Sequence, residues 1–483
     1  MLTEQLLIDG QRKAALSEKT RDIVTPATGK PLARVAAGGA EDIDQAVQSA
    51  NRAFTDGKWR NLNSRERTQT LLRLSNLIRD HAEELARLES QNVGKPIREA
   101  REEVGLAADC FEYYAGAINK VGGQTIPVAA AGVCMTFREP LGVCGLITPW
   151  NFPIAITSWK IAPALAMGNT LVVKPASQTP LTACRLGKLA LEAGIPPGVL
   201  NIVPGSGSVA GEALVRHPLV RKISFTGSTE VGTRVMQLAA DDIKRVTLEL
   251  GGKSANIVFA DCEMERALPG AVWSVLGNAG QDCCARSRLL IEHTIYDEFI
   301  EKLTELFTKV RLGDPLDDHT ELGSLISMTH REEVQNYIQS GKQAGAQLAC
   351  GGELPDSPTL QSGAFLTPAL FTDVRPEMRI FREEIFGPVL CAAPFKTEEE
   401  AIALANDSIY GLSGSIWTQN LPRALKVARA IETGVISVNT GHSVHLEAPF
   451  GGRKQSGVGR ELGLAALKHY SEMKSVFIYT GDE

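Results

Sequence analysis

Val199-Leu200-Asn201-Ile202-Val203-Pro204-Gly205-Ser206-Gly207-Ser208-Val209-Ala210-Gly211 is the stretch on which the fold turns. An apolar run stops at a proline, a glycine-serine turn follows, and helix-compatible residues resume, which reads as strand, turn and helix. Upstream, 143–147 and 170–173 read as short apolar strands, and downstream 223–225 does the same. Each leads into a helical segment: a run through Trp159 after the interruption at 149–153, a helix over 179–193, and another opened by Thr226-Gly227-Ser228-Thr229. Strands alternating with helices in this way imply βαβ units around a parallel sheet, hence an α/β fold. Further out, Ser64 caps a predicted helix over 65–92, with Leu71, Leu72, Leu74, Leu77 and Ile78 at helical spacing and Gly94-Lys95-Pro96 as its stop. The Gly- and Ala-rich segment 122–133, followed by alternating residues 134–137, reads as a protruding hairpin. A second domain is expected to begin near Gly251-Gly252, and neither an internal repeat nor a low-complexity segment interrupts the chain.

The 483 residues suffice for two or three domains at roughly 150 residues each. Hydrophobic residues at 43% and charged residues at 22% fit a globular protein with cores large enough to need no metal or disulfide. Fifty Lys and Arg against 56 Asp and Glu leave a net charge of −6 with no basic block, which argues against nucleic acid or an anionic membrane as partner. No apolar run approaches the ~20 residues of a membrane span. The N-terminus shows no basic segment leading into a long apolar one, so no secretory signal and a cytoplasmic enzyme are expected. Nine cysteines, an odd number, do not form a complete disulfide framework. Without C-x-x-C or H-E-x-x-H, no metal site is expected.

Two glycine turns bear on nucleotide binding. Gly205 to Gly211 sits where a dinucleotide fingerprint sits, between strand and helix, where glycines admit a pyrophosphate and the helix start offers free N–H groups. It departs from the fingerprint at Ala210 and lacks an acidic ribose partner about 20 residues on; a tight βα turn is the alternative. The second turn, Thr226-Gly227-Ser228-Thr229-Glu230-Val231-Gly232, lacks the lysine of a P-loop, which disfavours nucleotide hydrolysis. Two such turns on consecutive units favour a nucleotide without naming its chemistry.

Five further segments do name it: Thr148-Pro149-Trp150-Asn151-Phe152-Pro153, Leu248-Glu249-Leu250-Gly251-Gly252-Lys253, Gly280-Gln281-Asp282-Cys283, Glu383-Glu384-Ile385-Phe386-Gly387-Pro388 and Pro449-Phe450-Gly451-Gly452-Arg453-Lys454-Gln455-Ser456-Gly457. In this order they resemble the NAD(P)-dependent aldehyde dehydrogenase superfamily, over about residues 20 to 475, and more narrowly its aminobutyraldehyde- and betaine-aldehyde-type members. The resemblance implies a Rossmann-type dinucleotide domain (1–121 and 141–251), an α/β catalytic domain (252–455), and a small β oligomerisation arm with a C-terminal segment (122–140 and 456–483). It also implies a homodimer or homotetramer, assembled through the hairpin of 122–139 and a strand near 475–479.

Oxidising an aldehyde by hydride loss needs a tetrahedral carbon bearing an oxyanion, and a cysteine thiolate is a natural nucleophile to make it. By resemblance, Cys283 attacks to give a thiohemiacetal and then a thioester, Asn151 and the Cys283 N–H hold the oxyanion, and Glu249 is the base that activates water against the thioester. A carboxylate beside a thiolate is unfavourable, so Glu249 is expected to swing, with Gly251-Gly252 permitting it. The motif spacing selects Cys283 over Cys284, and the other seven cysteines are expected to fill apolar gaps.

For the cofactor, NAD or NADP, the resemblance implies Lys174 at the adenine-ribose hydroxyls, Gly207, Gly227, Ser228 and Trp150 around the pyrophosphate, Glu384 at the nicotinamide ribose and Phe386 beside the ring. Ser177 stands where NAD-preferring members usually carry glutamate. A carboxylate there repels a 2′-phosphate and a serine does not, so NADP is expected to be usable.

The aldehyde is expected among Phe152, Trp159, Phe450 and the loop 441–447. The pair Asp282 and Glu447 resembles aminobutyraldehyde-type members of the family, which implies an amino or quaternary-ammonium aldehyde, and the aromatic rings would also favour a cation, while Arg286 could instead anchor an acidic tail. General aliphatic, aromatic or semialdehyde substrates are the alternative. A CoA-acylating relative would lack Glu249, and a non-catalytic descendant would have lost Cys283, Glu249 or Asn151.

Overall fold

The computed structural model describes residues 2–442 and 444–481. Its first large sheet is built on Val143–Ile147, a strand with every residue buried. Thr170–Lys174 and then Leu200–Ile202 lie on one side of it, Val220–Thr226 and then Arg245–Glu249 on the other, all parallel. These strands are near-continuous apolar runs because helices cover both faces. The chain leaves Val143–Ile147 first to one side and later to the other. The junction with Val220–Thr226 is therefore a topological switch point, where a crevice opens at the carboxyl ends of the strands.

Three short antiparallel strands close the sheet's edges. Leu6–Ile8 and Gln11–Lys13 extend it beyond Leu200–Ile202, and Gly457–Val458, placed by sequence in the C-terminal segment, pairs with Arg245–Glu249. The second large sheet has seven strands. Parallel strands Arg288–Glu292, Ala255–Val258, Val389–Phe395 and Gly414–Trp417 form its centre, and its apolar core is separate from that of the first sheet. A third sheet pairs Ser471–Tyr479 with Gly132–Pro140 over their full length and adds Thr125–Ile126. It leaves Val133, Phe137, Met473, Phe477 and Ile478 exposed.

Sequence periodicity and structure part company in two helices. The segment expected as one helix over 65–92 is two, Ser64–Asp80 and Ala82–Val93, broken at His81. The first is capped by Asn63, whose side chain accepts from the Glu66 N–H, and not by Ser64. The second ends at Gly94 in the left-handed region, φ 92°. The turn after Leu200–Ile202 winds as one wide turn, Gly207–Gly211, before the short helix Glu212–Arg216. Among the described residues no helix is long and apolar enough to cross a membrane.

Candidate active site

The crevice at the switch point holds a cavity of about 540 Å³. Its walls are strand ends and the turns that follow them: Ile147 to Asn151, Lys174 to Gln178, Phe225 to Ser228, and Glu249 to Gly251. Cys283, Glu384 and Phe386 complete it from loops that flank strands of the second large sheet. A narrower cavity of about 220 Å³ is lined by Phe152, Trp159, Asp282, Cys284 and Phe450 among others. The two share Thr226, Glu249 and Cys283. Cys283 and Glu249 therefore stand where the two cavities meet.

Cys283 is delivered by an unusual piece of backbone. Asn278, Ala279 and Gly280 all have positive φ, 50°, 55° and 74°, a run of left-handed residues directly before Gln281. For Asn278 and Ala279 this costs roughly 1–2 kcal/mol each. A side chain at Gly280 would stand 2.1 Å from the Gly387 carbonyl, so only glycine fits there. Gln281 is fully buried, donates to the Asn278 carbonyl and accepts from the Ile326 N–H at 2.8 Å. The Gly-Gln of the motif is thus the lock that aims Cys283.

Hydrogen bonding to the Cys284 thiol, then burial and the Asp282 and Glu384 carboxylates, hold the Cys283 thiol well above its ordinary pKa. Cys284 itself is packed into the core, 3% exposed. Asp282, Cys283 and Cys284 lie within 4.8 Å of one another, the only such cluster of metal-ligating types among the described residues, a closeness that follows from their adjacency in sequence.

Asn151 is buried and donates its amide to the Gln281 carbonyl at 2.9 Å, which places it beside the loop that carries Cys283. Its own carbonyl accepts from Lys95 Nζ and Asn278 Nδ2, at 2.8 and 2.9 Å. Lys95 is fully buried, ion-pairs with Glu103, and lies 4.3 Å over the Phe152 ring. None of the recognised motifs contains Lys95 or Glu103.

Glu249 ends its strand with both carboxylate oxygens buried and without a partner. Burial first, then repulsion from Glu461, raises its pKa well above that of an ordinary carboxyl. Behind it runs a buried network: Lys160 with Glu461, Ser224 donating to Glu461 at 3.1 Å, Thr247 to Ser224 at 3.1 Å, and Lys222 to Thr247 at 3.0 Å. The neighbouring glycines serve close approach. A side chain at Gly251 would meet the Glu384 carboxylate at 2.3 Å, and one at Gly252 the Cys283 carbonyl at 2.3 Å.

The cofactor-binding candidates line the larger cavity. Lys174 donates to the carbonyls of Pro175 and Gly205, and Ser177 donates to Gly205 at 3.0 Å. A side chain at Gly207 would meet nothing within 4 Å, so the protein leaves open space there, while one at Gly227 would strike the Phe225 ring. The Ser228 hydroxyl caps the helix Thr229–Ala240 by accepting from the Val231 N–H, and Ser206 caps its own turn in the same way. Two helix starts thus face one cavity, a setting that favours phosphate. A further cavity of about 290 Å³ continues between these helices and shares Ile147, Gly207, Phe225 and Val231 with the first. Its walls are mostly apolar, with Glu212, Glu230 and Arg234 among them.

Glu384 accepts from the Gly252 N–H at 2.8 Å, and burial pushes its carboxyl up to about 7. Phe386 holds a left-handed φ of 58° and packs edge-on against Trp150, ring centroids 5.2 Å apart. His330, which sequence reasoning missed, fixes both: it lies 2.8 Å from the Phe386 carbonyl and its ring meets Trp150 edge-on.

On the substrate side, Phe152, Trp159, Phe450 and Asp282 line the narrower cavity, and Trp159 meets Phe450 edge-on at 5.6 Å. Asp282 also accepts from the Cys284 N–H at 2.8 Å. Glu447 is a correction: it is exposed and lines neither cavity, because the buried Leu446 beside it turns inward and sends the carboxylate outward. Of the expected loop 441–447, Gly441, His442 and Val444 reach the cavity, and Ser443 lies outside the described residues. Glu103, Trp273, Glu461 and Arg286 line it too. Arg286 gives Nη1 to the Cys284 carbonyl and Nε to Ser415, which ties it to the nucleophile loop.

Comparison with known proteins agrees with this geometry. The chain is 44% identical over 478 residues to betaine aldehyde dehydrogenase of Bacillus subtilis, covering 99% of this chain and 97% of that one. To phenylacetaldehyde dehydrogenase of Pseudomonas fluorescens it is 44% identical over 485 residues, covering 99% and 96%. Its fold superposes with a TM-score of 0.98 on betaine aldehyde dehydrogenase from Staphylococcus aureus, solved in complex with NAD+, at 39% identity and covering 100% of this chain and 96% of the other. A cysteine and a glutamate at the meeting point of two cavities, on a fold shared from end to end with these enzymes, agree with the match of residues 13–476 to the aldehyde dehydrogenase family, to which this chain belongs.

Proposed function

We propose that this enzyme oxidises an aldehyde to its carboxylic acid with NAD+ or NADP+, through an acyl group carried on Cys283. The observation that carries the reading is the sharing of Cys283 and Glu249 by the two cavities. The cavity residues fit a dinucleotide: two capped helix starts, open space at Gly207, and Glu384 and Phe386 at the end nearest Cys283. When bound, the nicotinamide supplies the acceptor for the aldehyde hydride. Cys283 supplies the bond that makes the carbonyl carbon tetrahedral, and Asn151 donates to the oxyanion, a contribution of ~3–4 kcal/mol. As a base Glu249 acts in its deprotonated form, and because burial raises its pKa the hydrolytic half of the cycle should speed up as pH rises.

The finer reading is a preference for amino or quaternary-ammonium aldehydes. Asp282 in the narrow cavity supports it, as does a polar vestibule of about 700 Å³ that shares Trp273, Ser274, Gly441 and His442 with that cavity. The vestibule sets Glu99, Glu102 and Glu321 against Arg98. Similarity to a betaine aldehyde dehydrogenase agrees with it. Kinetics on 4-aminobutyraldehyde, betaine aldehyde, phenylacetaldehyde, hexanal and succinic semialdehyde test it. A cationic substrate should have the highest kcat/KM, and a preference for succinic semialdehyde would contradict the reading. With Ser177 in place of a glutamate, kcat/KM for NADP+ should lie within about a thousandfold of that for NAD+, a gap of ~4 kcal/mol. The exposed apolar arm supports a homo-oligomer in which that strand extends a neighbour's sheet.

A further inference from the structure

On the side of Lys174 and Ser177 the larger cavity presents cations and no carboxylate, while Glu212 and Glu230, with Arg234, line the adjoining cavity between the two helix starts. Of the cavity's charged lining residues, Glu249 and Glu384 lie at the Cys283 end, and Arg21 and Lys174 are the two cations. Lys174 stands over the first glycine turn, its chain 3.5 Å from where a Gly211 side chain would begin, and its Nζ meets only carbonyls. Burial without a counter-charge lowers its pKa to about 8. Arg21 projects from the exposed strand Thr20–Val24, a segment outside every motif. Its sequence neighbour Asp22 points to the opposite face of the strand and is held by Arg34 at 2.7 Å. Among the described residues no carboxylate pairs with Arg21.

A ribose 2′-hydroxyl is a donor that asks for an acceptor, and beside Lys174 and Ser177 the larger cavity offers no carboxylate among its lining residues. A 2′-phosphate asks for cations, and a guanidinium binds phosphate in a planar, two-pronged fashion. Taking the cavity as the NAD(P) site described above, we propose that Arg21 is the 2′-phosphate ligand, acting with Lys174 and Ser177, through which the enzyme accepts NADP+.

The test compares wild-type enzyme with Arg21→Ala and Arg21→Lys. Calorimetric titration uses 2′,5′-ADP, which carries the 2′-phosphate, against 5′-AMP, which does not. Arg21→Ala should weaken 2′,5′-ADP by about ten- to a hundredfold, with a much smaller effect on 5′-AMP, and Arg21→Lys should recover part of the loss. The ratio of kcat/KM for NADP+ to that for NAD+ should fall by a similar factor in Arg21→Ala. Equal losses for both nucleotides, or no loss for either, would overturn the assignment. Wild-type enzyme that turns over with NAD+ yet ignores 2′,5′-ADP would also overturn it while leaving aldehyde oxidation standing. Failure to turn over with either dinucleotide would strike the proposed function instead.

Discussion

Cys283 rests as a thiol because of its neighbours, and the largest of those influences is the hydrogen bond to Cys284. Removing that partner should bring the Cys283 pKa down. Cys284→Ala is expected to keep most of the turnover and to shift the pH profile of Cys283 alkylation to lower pH, followed with iodoacetamide and peptide mapping. Cys283→Ala should have no turnover. The reverse pattern, activity lost in Cys284→Ala and kept in Cys283→Ala, would exchange their roles. At this scale the sequence was informative wherever chemistry and backbone lock share one short segment, as in Gly280-Gln281-Asp282-Cys283. It misled at Glu447, where residue type pointed to the cavity but the burial of Leu446 turned the neighbouring carboxylate to solvent. It was silent on Arg21, His330 and Glu103, whose places depend on segments far apart in the chain.

Among the elements, the helix Ile97–Ala117 does more than pack. Its Glu103 pairs with Lys95 beneath the loop that carries Asn151, and Lys95 bonds directly to the Asn151 carbonyl. Replacing Lys95 by methionine strands a buried carboxylate and removes a prop from the oxyanion donor. The expected cost is about 3–5 kcal/mol of stability, read as a lower thermal midpoint, together with reduced kcat. The double variant Lys95→Met/Glu103→Leu should regain most of the stability but not the kcat, because the prop under Asn151 is still absent. A single variant as stable as wild type would show that the pair is inert.

Element existence was readable from apolar runs such as Thr170–Lys174, buried throughout. The helix break at His81 was not, because Arg79 and Ala82 on either side continue a helical pattern. The edge strands Leu6–Ile8 and Gln11–Lys13 were also missed, being three residues long and recruited by a sheet assembled from residues 143–249. In each case tertiary contact overrode a weak local signal.

Across the whole molecule, the proposed function draws on the segments of both large sheets. The first brings strand ends, two capped helix starts and Glu249. The second brings Cys283 on a strained left-handed turn, together with Glu384 and Phe386. Glu249 and Cys283 come from segments of different sheets, and the two cavities share them. The alternation of strands and helices foretold the parallel sheet around Val143–Ile147. That the two cavities converge on the same pair of side chains became visible only in three dimensions.

The direct test is to mix the Glu249→Gln variant with aldehyde and dinucleotide, quench, and map the protein by mass spectrometry. With the base disabled, one equivalent of reduced dinucleotide should form per site in a burst, with the acyl mass on the Cys283 peptide and slow turnover afterwards. An acyl mass on any other side chain, or product formed at the wild-type rate with no adduct on Cys283, would contradict the account.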